Sequence, residues 1–113
     1  MKENTFINQV INYLDERLNR IGFVQFRNCN AYYGYEPITM YWADEIVGYE
    51  REAHVIPIRS YNTIVGFADI DNQVVYEYGK YSRTTSKQFS QICHTRFPNY
   101  ERVLVDVETY NRW

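Results

Sequence analysis

Thr63-Ile64-Val65-Gly66-Phe67-Ala68-Asp69-Ile70, then Asp71-Asn72, then Gln73-Val74-Val75-Tyr76-Glu77-Tyr78 is the stretch that decides the fold. Two runs of β-branched and aromatic residues flank two residues that tolerate positive φ, the pattern of a hairpin closed by a tight primed turn. The rest of the chain agrees. Val, Ile, Tyr, Phe, Trp and Thr supply 47 of the 113 residues against three Leu, and such side chains pack best on pleated sheet. A chain of this length holds one sizeable core, so residues 1–113 are expected to form a single domain.

Working outward from the hairpin, the N-terminal side begins with a helix. Phe6, Ile7, Val10, Ile11, Leu14, Leu18 and Ile21 recur at steps of three and four, one apolar stripe on a helical period. Asn4 or Thr5 is placed to cap its start and Gly22 to stop it. Phe23 to Arg27 reads as a strand, followed by a loop rich in Asn and Tyr. Ile38 to Trp42 reads as a second strand, and residues 46–49 as either a strand or the end of a short helix begun at Asp44. His54 to Ile58 reads as an edge strand, because Pro57 has no N–H to give a central ladder. On the C-terminal side, Ser86 to Arg96 reads as a helix with Phe89, Ile92, Cys93 and Phe97 inward, ended by Pro98. Thr85 and Gln88 form a capping-box pattern for it. Arg102 to Tyr110 alternates as a half-buried strand. The expected fold is α+β, an antiparallel sheet of four to six strands packed by an N-terminal helix and a second helix near the C-terminus.

Several function classes are poorly served by these residues. Twelve Lys and Arg stand against 14 Asp and Glu, a balance unsuited to coating DNA by bulk charge. No apolar run approaches a membrane span, and the first residues lead into an amphipathic pattern instead of a signal sequence. Cys29 and Cys93 are therefore expected as reduced thiols in a cytoplasm. Cys93 and His94 are neighbours that diverge around a helix, so they make no nucleophile–base pair. No Cys/His spacing suggests zinc, Asp69 and Asp71 are explained by their turn, and the five glycines are scattered singly. No catalytic residue, metal or cofactor is expected.

Charge distribution says more than charge total. Residues 36–52 hold five acids and one base, Arg51, a local net of −4, while residues 79–100 hold four bases and no acid, a local net of +4. In the acidic segment Glu36, Asp44, Glu45, Glu50 and Glu52 alternate with Tyr41, Trp42 and Tyr49. Such a surface can imitate a nucleic-acid backbone and bind a basic groove on another protein, with the aromatics as anchors. In the basic segment Lys80, Tyr81, Arg83, Thr84 and Lys87 crowd a helix N-terminus, where unpaired N–H groups and the helix dipole favour anions. Helix capping explains the hydroxyls equally well. Nucleic acid is the partner this second surface would take, and a structural or dimerisation module, possible through an edge strand, is the third alternative.

Ser60-Tyr61-Asn62-Thr63-Ile64-Val65 and Lys80-Tyr81-Ser82-Arg83-Thr84-Thr85-Ser86-Lys87 carry a resemblance. The pattern S-Y-x-T-x-V, a hairpin, then K-Y-S-x-T-T-S-K into a helix resembles a small domain of Gram-positive phage and mobile-element proteins. The likeness covers residues 59–106 and brings no reaction or ligand with it. It implies a setting: a small phage protein acting on a host machine, and inhibitors of RNA-guided CRISPR nucleases are such a group. The leading expectation is a non-enzymatic inhibitor that binds a host defence protein through its acidic, tyrosine-rich segment.

Overall fold

The computed structural model describes residues 2–79 and 82–105. These form α1 (Lys2–Glu16), a short 3-10 turn (Leu18–Arg20), and strands β1 (Phe23–Gln25), β2 (Ala31–Gly34), β3 (Ile38–Asp44), β4 (Tyr49–Ser60), β5 (Thr63–Asp69) and β6 (Val74–Glu77). Then come α2 (Arg83–Arg96) and β7 (Glu101–Leu104). The fold is α+β, as the composition predicts. Its sheet runs β1-β2-β4-β5-β6-β7, with β3 also paired to β4. Every pairing is antiparallel except β6 with β7, which α2 connects as a crossover and which makes the last pair parallel.

The two helices cover opposite faces of the sheet. Side chains alternate along each strand, and the core divides accordingly. Phe67 and Tyr76 join Phe6, Ile7, Val10, Ile11 and Leu14 of α1. Their neighbours Ala68 and Val75 join Phe89, Ile92 and Cys93 of α2. From Ile64 onward β5 is buried on both sides, the mark of a central strand. At Gly66 the Phe89 ring of α2 lies against the strand, since a Cβ there would stand 2.6 Å from Phe89 Cε2 and 2.3 Å from the Tyr76 carbonyl oxygen.

Several expectations are corrected. Residues 31–34 form β2 instead of a loop, because Phe26 N–H donates to the Ala31 carbonyl and closes a turn that brings β2 back along β1. That turn raises the strand count among the described residues to seven. β4 is central, and Pro57 is tolerated there for a local reason. It falls between the last pair with β3, Ile38↔Val55, and the first with β2, Tyr33↔Ile58, where neither ladder uses its missing N–H, and Gly34 at the end of β2 leaves room for its ring, since a Cβ there would stand 2.9 Å from Pro57 Cδ. α1 begins at Lys2, which puts Asn4 and Thr5 inside the helix, and it ends at Glu16, well before Gly22. α2 begins three residues earlier than its pattern suggested, capped by Ser82 and not by Thr85.

The tight two-residue turn lies elsewhere as well. Ser60 pairs with Thr63 across Tyr61 and Asn62, with Tyr61 at φ 55°. The β5–β6 connection spans residues 70–73 between the pair Asp69↔Val74, and its one positive φ is at Gln73. Asp69 shapes that turn by accepting from the Asn72 side-chain amide at 2.8 Å. Of the strand expected over Arg102 to Tyr110, residues 106–110 lie outside the described residues.

Candidate partner-binding hairpin

β3 and β4 form a hairpin of seven consecutive cross-strand pairs, from Ile38↔Val55 at its base to Asp44↔Tyr49 at its tip. Asp44 builds the tip. Its carboxylate accepts the Ile46 N–H at 3.0 Å, and its carbonyl accepts the Gly48 N–H at 2.8 Å. Gly48 sits at φ 82°, a conformation that strains any other residue. Arg51 donates to the same carboxylate at 3.2 Å. Burial pushes the Asp44 carboxyl up, but Arg51 and the turn amides more than offset it, so it titrates below the usual range. The only base in the acidic segment is thereby engaged with one of its acids.

Paired residues share a face, so the expected site residues divide. Trp42 and Asp44 lie with Tyr49 and Arg51 on the α1 face, while Tyr41, Glu50 and Glu52 lie on the other. Glu45 is in the tip. Glu36 is at the opposite end of β3, beside a hollow lined by Arg17 and Arg20. The hairpin therefore brings seven of the eight residues onto one projecting element and leaves Glu36 apart. Tyr41 and Tyr49 are 60% and 64% exposed. Trp42 is half-buried with its ring edge-to-face against Phe6 at 4.9 Å, so it serves the core as much as a surface.

Four residues of this region escaped the sequence reading. Ile46 and Val47 expose apolar side chains at the tip; the signal was an apolar pair set among acids. His54 and Asp71 meet across the gap between β4 and the β5–β6 turn. The imidazole Nδ1 lies 3.1 Å from Asp71 and Nε2 lies 3.0 Å from Glu52. The Asp71 hydrogen bond raises the His54 pKa above its ordinary 6.5 against some desolvation, and Glu52 adds to the effect. Nothing in local sequence links positions 54 and 71; register alone does. Between the hairpin tip and this turn lies a cleft of 390 Å³. Phe6, Trp42 and Tyr76 line it, with Asp44, Glu52, Asp69 and Asp71 as its acids and Arg51 as its base.

The basic alternative is only partly placed. Lys80 and Tyr81 lie outside the described residues. Arg83, Thr84 and Lys87 occupy the exposed start of α2. The Ser82 hydroxyl accepts the Thr85 N–H at 3.2 Å, so this hydroxyl is spent on the cap. Both cysteines are free thiols beside the α2 core cluster. Burial pushes the Cys93 thiol up to about 11, which keeps it protonated at neutral pH. Among the described residues no group of three or more His, Cys, Asp and Glu side chains is arranged to hold a metal ion. No helix among them is long and apolar enough to cross a membrane. Comparison with known proteins returns no match: no family model, no curated protein and no solved structure aligns significantly with the chain.

Proposed function

We propose that this protein is a non-enzymatic binding protein that presents its β3–β4 hairpin to a basic groove on a partner protein, a groove that otherwise holds nucleic acid. The observation that carries this reading is one projecting element with Tyr41 and Tyr49 exposed, Glu45, Glu50 and Glu52 around them, and Arg51, the sole base of residues 36–52, already paired to Asp44. Acids on such an element supply steering and register, and exposed tyrosines supply contact area at little entropic cost. The phage-domain resemblance adds the finer proposal: an inhibitor in the cytoplasm of a host cell, with an RNA-guided CRISPR nuclease as its partner.

The nucleic-acid reading has less support. The Ser82 hydroxyl at the start of α2 is used within the helix cap. The test is DNA cleavage by a purified RNA-guided nuclease of the host, with the protein added as wild type, as Glu45→Lys/Glu50→Lys, and as Lys80→Glu/Arg83→Glu. Inhibition lost only in the first variant supports the hairpin. Inhibition retained there and lost in the second assigns the function to the start of α2. Salt-dependent binding of short single-stranded RNA by the isolated protein would favour the alternative too.

A further inference from the structure

The two long edges of the hairpin are finished differently. On β3 the Gln9 side-chain amide donates to the Ala43 carbonyl at 3.0 Å and accepts the Ala43 N–H at 2.8 Å. Ala43 therefore points its backbone groups away from β4, and its cross-strand partner Glu50 points its own away from β3. The same alternation holds at Glu52 and His54. At His54 the outward groups are met, since its N–H donates to Asp71 at 3.0 Å and its carbonyl accepts the Ile70 N–H at 2.9 Å. At Glu50 and Glu52 no described strand stands opposite, because β5 pairs only from Val55↔Asp69 onward. A strand edge with unpaired donors and acceptors is a template for another strand.

Resting on the hairpin reading above, we propose that the partner engages this edge by adding a strand: an extended basic peptide segment pairs with residues 49–53 of β4, alongside the cleft. Five residues span about 17 Å. The side chains of the added strand would alternate between two surroundings. On one face they meet Glu50 and Glu52 with Asp71 at the end of the edge, which calls for Lys or Arg. On the other face they reach the cleft, where Phe6, Trp42 and Tyr76 offer apolar contact and Arg51 is already paired to Asp44, which calls for an uncharged, apolar residue. Main-chain bonds supply affinity in such a complex, and alternate side chains supply the choice of partner. A second copy of this chain is the wrong occupant. Antiparallel self-pairing about residue 51 sets Glu50 of one copy opposite Glu52 of the other, and like charges directly opposite destabilise a ladder.

The probe is the acetylated, amidated peptide Val-Lys-Val-Lys-Val, whose lysines fall opposite Glu50 and Glu52 when it pairs with residues 49–53, with two analogues, one N-methylated at both lysines and one at all three valines. Binding is read by calorimetry, and the edge by amide hydrogen exchange of the full chain. The Glu50 and Glu52 amides should gain protection when the peptide binds. One analogue should bind like the parent while the other loses about tenfold or more, because only alternate N–H groups of an added strand face β4. Analogues that behave alike, or protection gained on β1 or on the outer edge of β3, overturn strand addition. Absence of peptide binding overturns it as well. None of these outcomes touches the hairpin reading, which stands or falls on loss of nuclease inhibition in Glu45→Lys/Glu50→Lys.

Discussion

His54 sits between two carboxylates, and its position makes it the residue whose titration reports on the site. Asp71 holds its pKa above 6.5. A raised folded-state value means that the interaction contributes its full stability below about pH 6.5 and loses it as the pH climbs through the folded midpoint. An NMR titration of the imidazole should give a midpoint above 6.5 in the wild type, falling back toward that value in Asp71→Asn; an unchanged midpoint would assign the shift to Glu52 instead. A second single-residue expectation concerns Gly66. A Cβ there meets Phe89 Cε2 at 2.6 Å and backbone oxygen at 2.3 Å, and neither side can yield without moving α2 or β6. Gly66→Ala should cost roughly 1–3 kcal/mol in urea denaturation. In sequence this glycine looked like any residue of a strand. Its purpose appears only when α2 is laid across β5, which no local pattern announces.

Elements followed their periodicity where one face was apolar and departed from it at their ends. The inward residues of α2, Phe89, Ile92 and Cys93, with Phe97 just past its end, are legible because they recur on a helical period and are buried as such. Its start is not, because Ser82 and Thr85 are both acceptable caps and only backbone geometry chooses between them. Ser82→Ala should therefore cost about 1 kcal/mol, and Thr85→Ala clearly less, by thermal or urea unfolding. Equal losses would return the cap to Thr85. β2 is hidden by Asn28 and Asn30 just before it, which argue for a loop. β4 reads as an edge from Pro57 alone, because residue order does not show which neighbour the position of the missing N–H would face. The clamp of Gln9 on Ala43 is another contact with no sequence signal, joining residues 34 positions apart. It makes two partly solvated hydrogen bonds, so Gln9→Ala should cost about 1 kcal/mol and speed exchange of the Ala43 amide. If that exchange does not change, the β3 edge is closed by something other than Gln9.

At the scale of the whole molecule, the near-neutral total divides into an acidic hairpin at one end and a basic helix start elsewhere, and this segregation was readable from residue order. What order concealed is the alternation that deals the acidic set onto two faces, with Glu36 left at the base. The fold also distributes stability unevenly. Phe67 packs with α1 and Ala68, one residue on, packs with α2, so the two core clusters share a strand and loss of either exposes the other. The hairpin tip has no such double support. Residues 49–53 are paired on one side alone, and among described residues the tip is tied back chiefly through Gln9 and the Phe6–Trp42 contact. Regions with few buried contacts open locally at a fraction of the global cost. Native-state exchange should separate the two: Phe67 and Ala68 amides should exchange only through global unfolding, with a steep dependence on added urea. The Arg51 amide, in the ladder with Trp42, should exchange through local opening that is nearly independent of urea. A partner that pairs with the open edge would remove that difference, because the tip would then be held from both sides. Matching urea dependence at Arg51 and Ala68 in the protein alone would show that the hairpin is an integral part of the core. Binding would then gain nothing from ordering the tip.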